Sequence, residues 1–153
     1  MFGESSNQQD SLSSAIRYLH VKIDSSQPVE ERLTEKLKYW QNRLGLTEWQ
    51  LWIKMVEPGE FSYAHVEYDE YHYQGIISIN NDHPAEHWDH TIVHELLHIM
   101  LGGVQGFTEE LLAYVEPKER KVLEAGIEEK FEPVLNRLAR AIVGTPRPYL
   151  ELK

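Results

Sequence analysis

Residues 94–98 read His94-Glu95-Leu96-Leu97-His98, inside a stretch that is otherwise apolar: Ile92, Val93, Ile99, Met100 and Leu101. On an α-helix, residues four apart lie about 40° apart around the axis and one turn along it, so both imidazoles point the same way. Two neutral imidazoles at that spacing can hold one Zn²⁺, leaving room for a third protein ligand and a water. Glu95 is close enough in angle to reach that water and take its proton. As plain core the motif makes poor sense, because three polar groups in an apolar helix interior each need a partner or cost stability. The plain alternative is a pair of surface or partner-satisfied histidines. The flanks weigh against it: Asp89 is placed to cap a helix here and Gly102-Gly103 to stop it.

The chain has no cysteine, which excludes disulfides and thiolate ligands and leaves His, Asp and Glu to bind a metal. Its 153 residues suit one domain with a sizeable core. The charge of −10, from 25 acidic against 15 basic residues, comes with no stripe of Lys and Arg, so nucleic acid is not an expected partner. The basic residues Arg137, Arg140 and Arg147 read as a helix C-terminus complementing its dipole. No apolar run is long enough to span a membrane. Met1–Ser6 shows neither a basic n-region nor an apolar h-region, so no secretion signal is expected and the cytoplasm is the default location.

Residues 1–27 form an expected N-terminal segment: polar and mobile over 1–14, then a short strand or arm over 15–24. A single domain is expected over 28–144, with an extended tail over 145–153. Pro28 opens a helical pattern with Val29, Leu33, Leu37 and Trp40 on one face, ending at Gly45. Three strands follow, over 49–56, 61–68 and 73–80. The motif helix comes next, then a short helix over 108–115 with Thr108 as its cap. A last helical stretch runs from Pro117 to Ile142, in which Pro133 must start a new helix or kink the old one. The pattern predicts an α+β fold, a short and mainly antiparallel three-stranded sheet packed against helices that include the motif helix.

A zinc held by two histidines needs a third protein ligand. No further His follows at the HExxHxxGxxH spacing, so the candidates are the carboxylates Glu109, Glu110, Glu116, Glu124, Glu128, Glu129 and Glu132. A Glu on an otherwise apolar helix face points into the protein. Glu132, with Leu135, Leu138, Ala139 and Ile142, lies on such a face, and Glu128 one turn earlier is its rival.

The His94–His98 motif followed by Glu132-Pro133-Val134-Leu135-Asn136-Arg137-Leu138-Ala139 resembles the short zincin-like metallopeptidases of phages and prophages. More distantly it is similar to the ImmA-type peptidases that cleave phage repressors. Ala64-His65-Val66 through Gly75–Asn80 resembles the strand pair that precedes the active helix in those families. The likeness covers about residues 30–142. It implies a small zincin-like domain of gluzincin type, in which Glu132 is the third zinc ligand beside His94 and His98, and Glu95 is the catalytic base. It also implies a protein or peptide substrate, in the cytoplasm of a bacterial host where the chain is phage- or prophage-encoded. Pro133 departs from the helix interior expected there, which keeps Glu128 in contention.

The rival from another class is a non-catalytic accessory or binding module on the same scaffold. His90, four before His94, is an alternative ligand, a group orienting one, or an ordinary first-turn histidine. Tyr63, Tyr68, Tyr71, Tyr73 and Tyr114 are candidate oxyanion donors. Gly75–Asn80 is read as an exposed edge on which an extended peptide could pair.

Overall fold

The computed structural model describes residues 27–59 and 61–144. The expected N-terminal segment, except Gln27, and the tail over 145–153 lie outside the described residues. Helix α1 (Val29–Arg43) is followed by strands β1 (Gln50–Val56), β2 (Ala64–Asp69) and β3 (Gln74–Asn80). A 3₁₀ turn over Ala85–His87 leads into helices α2 (Trp88–Met100), α3 (Gly102–Leu112) and α4 (Pro117–Val143). This is the expected α+β class. No helix among the described residues is long and apolar enough to cross a membrane.

Helix α1 buries Leu33, Leu37 and Trp40, which recur at the three-to-four spacing of a single face. It ends where Gly45 takes the left-handed φ of 73° and the Leu46 N–H bonds back to the Gln41 carbonyl, a conformation that costs glycine nothing. Asp89 does not cap α2. Its Oδ1 accepts from Trp40 Nε1 at 2.7 Å and its Oδ2 from Lys36 Nζ at 2.6 Å, so it ties α1 to α2. A cation and an indole N–H with no other acceptor outbid one backbone donor. The Asp89→Ala protein is expected to lose about 2 kcal/mol in urea unfolding, because the Trp40 N–H is stranded. Asp89→Asn, which keeps an acceptor, should lose less, and equal losses would sink this assignment.

The sheet is mixed rather than mainly antiparallel. Its order is β1-β3-β2, with β3 parallel to β1 and antiparallel to β2. The physical reason lies in β3, which buries Gly75, Ile77, Ile79 and Asn80 and so takes the centre. Both its rows of backbone groups are consumed, so β3 is no free edge for a peptide; β2 and β1 are the edges. Across the inner face, Ile53, Ile77 and Val66 stand in one row and Met55, Ile79 and Ala64 in the next. In the third row Gly75 lies between Leu51 and Tyr68, whose side chains would stand 3.1 Å from any Cβ there.

Helix α2 buries Trp88, Ile92, Val93, Leu96, Leu97 and Ile99 against α1, the sheet and α4. Gly102-Gly103 does not stop it with a left-handed cap. α2 gives way to α3 across Leu101 alone, and Gly102 packs so closely that a Cβ there would have to displace the Glu70 carboxylate and the Tyr68 hydroxyl. Thr108 is accordingly mid-helix, its hydroxyl donating to the Val104 carbonyl at 2.9 Å. Helix α4 runs unbroken through Pro133. The hydrogen bond a proline cannot make would go to the Glu129 carbonyl, and Glu129, Pro133 and Val134 are all exposed, where water serves instead. Leu135 and Ala139 are fully buried, whereas Leu138 and Ile142 of the expected face are exposed.

Candidate metal centre

Because α2 carries His94 and His98 one turn apart, and α4 crosses it beside them, Glu132 meets both imidazoles. His94 Nε2 lies 3.2 Å from Glu132 Oε2, and His98 Nε2 lies 3.3 Å from Glu132 Oε1. The two Nε2 atoms are 3.2 Å apart. These are the separations of ligands around one small ion: a tetrahedron with bonds of about 2.0 Å has edges of about 3.3 Å. Among the described residues, these three form the one group of His, Asp and Glu side chains placed to share a metal. Glu128, one turn earlier, is exposed in the wall of the same cleft and is not part of the group.

The donor set of two imidazoles and a carboxylate suits zinc. The imidazoles have the required charge. Burial, then the neighbouring His98 and His90, press His94 down to about 4, against a weaker pull upward from the Asn136 side chain. Burial likewise lowers His98, opposed by Glu132. Both rings are therefore neutral and free to coordinate near pH 7. Asn136 sits one turn beyond Glu132, with its amide against His94, whose buried Nδ1 has no well-formed hydrogen bond. It is in the place of the groups that orient metal-bound histidines through the far ring nitrogen.

Glu95 is 6% exposed, and its carboxyl makes no hydrogen bond to a described residue. Burial first, and then the negative charge of Glu132, push its carboxyl up to about 8. In the metal-free fold the carboxyl therefore holds its proton near pH 7, and a dication bound among the three ligand atoms would favour its ionised, basic form.

All four residues line a cleft of about 920 Å³. Its sheet side is formed by Phe61, Ser62, Tyr63, Ala64 and His65. Of the five tyrosines, Tyr63 alone lines it. Tyr71 and Tyr114 are 94% and 91% exposed elsewhere, and Tyr68 and Tyr73 pack edge-on around Trp49. His90 lies in the cleft wall with its ring 6.4 Å from His94, outside the ligand group. His83 is buried and bonded to the Thr91 hydroxyl at 2.7 Å.

Three neighbours of the centre went unread in the sequence. Asn136 had a signal, its four-residue spacing from Glu132. His65, close enough to His98 to lower its pKa, and Gln105, whose amide lies against His98, had none, since they arrive from separate elements. In comparisons with known proteins, the chain matches no family model, no curated protein and no solved structure.

Proposed function

We propose that the chain is a zinc-dependent hydrolase of peptide bonds. The observation that supports it is the triangle of His94, His98 and Glu132 donor atoms at 3.2–3.3 Å with the buried, unbonded Glu95 next to it. When bound there, zinc would acidify a water and polarise the scissile carbonyl. Glu95, ionised beside the bound dication, would take the proton of the attacking water and hand it to the departing amine. Tyr63 and His65, on the opposite wall, are the donors available to a developing oxyanion. An extended peptide would pair with the edge of β2, whose Ala64 and His65 border the cleft. The resemblance to small phage and prophage peptidases of the bacterial cytoplasm fits this reading.

The test is metal content. Wild-type protein is expected to carry about one zinc per chain and His94→Ala almost none. Under a chelator concentration that Glu128→Ala withstands, Glu132→Ala should lose its metal. Equal, negligible zinc in wild type and His94→Ala ends the proposal, and the reverse order of the two glutamates moves the ligand one turn upstream.

A further inference from the structure

Beyond the metal centre, the cleft is lined by Glu109 from α3 and by Glu124 and Glu128 from α4, and by no lysine or arginine. None of the three carboxylates is in an ion pair among the described residues. Two of the neighbouring cations are engaged elsewhere, while Lys121, three residues before Glu124, is outside the cleft lining. Arg120 caps the end of α3 through the Leu112 and Ala113 carbonyls at 2.8 and 3.0 Å, and Lys130 pairs with Glu129. Ile127 and Phe131 lie in the same wall, between and just beyond the two α4 glutamates. That is an apolar track ending in negative charge, the complement of a side chain with a long aliphatic stem and a cationic head. A separate observation marks the cleft as a place for a ligand: Glu95, more than nine-tenths buried, opens into it with no hydrogen-bond partner among the described residues.

We propose that this cleft selects peptides bearing lysine or arginine, the cation resting among Glu109, Glu124 and Glu128. Glu128 and Glu124 lie about 6 and 12 Å along the helix axis from Glu132. At the rise of an extended chain, the basic residue would therefore stand roughly two to four positions from the bond cut. The consequence for substrate choice rests on the hydrolase reading; the binding itself does not.

The experiment separates the two. Full-length Glu95→Gln protein, loaded with zinc, is titrated by fluorescence anisotropy with labelled peptides of equal length. One carries an Arg-Lys pair, one has neutral residues in its place, and one acidic residues. The basic peptide is expected to bind about tenfold more tightly than the neutral one, with the acidic peptide weakest. The added substitutions Glu124→Gln and Glu128→Gln, at exposed helix positions, should erase the preference, as should raising salt from about 0.05 to 0.5 M. Equal binding of basic and neutral peptides, or a preference that survives both substitutions, overturns the proposal. Selective binding without cleavage by the wild type would instead defeat the hydrolase reading. Cleavage of both peptides at equal rates would keep that reading and discard this one.

Discussion

Glu95→Gln is expected to retain its zinc and to lose about 10²–10⁴-fold in peptide hydrolysis, the usual contribution of a positioned general base. Glutamine keeps the shape of the side chain and the hydrophobic packing of α2 around it, so the loss would be of proton transfer alone. Turnover of a quenched-fluorescence peptide pool, with zinc content measured on the same samples, checks this. Wild-type rates in the variant would remove Glu95 from the chemistry. Loss of zinc would make it a ligand rather than a base. Survival of every other measurable property of the protein beside full loss of turnover is what a hydrolase predicts and a binding module does not.

The same carboxyl makes the metal-free protein sensitive to alkaline pH. In the unfolded chain Glu95 has lost its proton above about 4.5, whereas in the fold it holds on to about 8. Over that interval the folded state binds the extra proton, so stability falls as pH rises. His94 works in the opposite direction. Its folded pKa of about 4 lies below the unfolded 6.5, so the unfolded chain binds the extra proton and stability rises with pH up to 6.5. Burial lowers His83, His90 and His98 as well, so below about 6.5 the histidines together outweigh Glu95, and above it the slope of Glu95 dominates. Urea unfolding in chelator should show a loss of about 1 kcal/mol from pH 6.5 to pH 8, the fall from Glu95 less what remains of the histidines' rise. Glu95→Gln should abolish the loss, and zinc should cancel it too, because a dication favours the ionised carboxylate. A flat profile for the metal-free wild type is the contrary result.

The motif helix was legible because two signals coincided there: an apolar period of three to four, and polar residues that such a face does not tolerate without a shared partner. The strands were legible as strands and not as a sheet. Alternation in 50–56 and 74–80 says which residues face inward, but the central place of β3 depends on the competition among three strands for burial, which no single strand encodes. Asp89 was misread for a related reason. Its position at the first turn suggested a cap, and its partners, Lys36 and Trp40, lie 53 and 49 residues away. For Glu132 the clue was the neighbouring Leu135 and Ala139, both fully buried, although the helix there does not begin at Pro133 as a proline rule suggests. Local propensity sets where the chain can bend; whether a proline breaks a helix depends on whether its lost bond falls on the wet side.

The unevenness of α4 has a consequence for how the cleft behaves in time. Its buried residues, Leu135 and Ala139, lie in the turns after Pro133, while the stretch from Pro117 to Glu132 has none. α3, the other part of that wall, buries only Gly102 and Leu112. The opposite wall rests on β3 and α2, whose many buried residues lead us to expect the slowest amide exchange there. The cleft thus joins a rigid jaw, holding both histidines, to a compliant one that can open at small free-energy cost. Glu132 stands at the seam, so the outer wall can shift while the spacing of His94, His98 and Glu132 is kept.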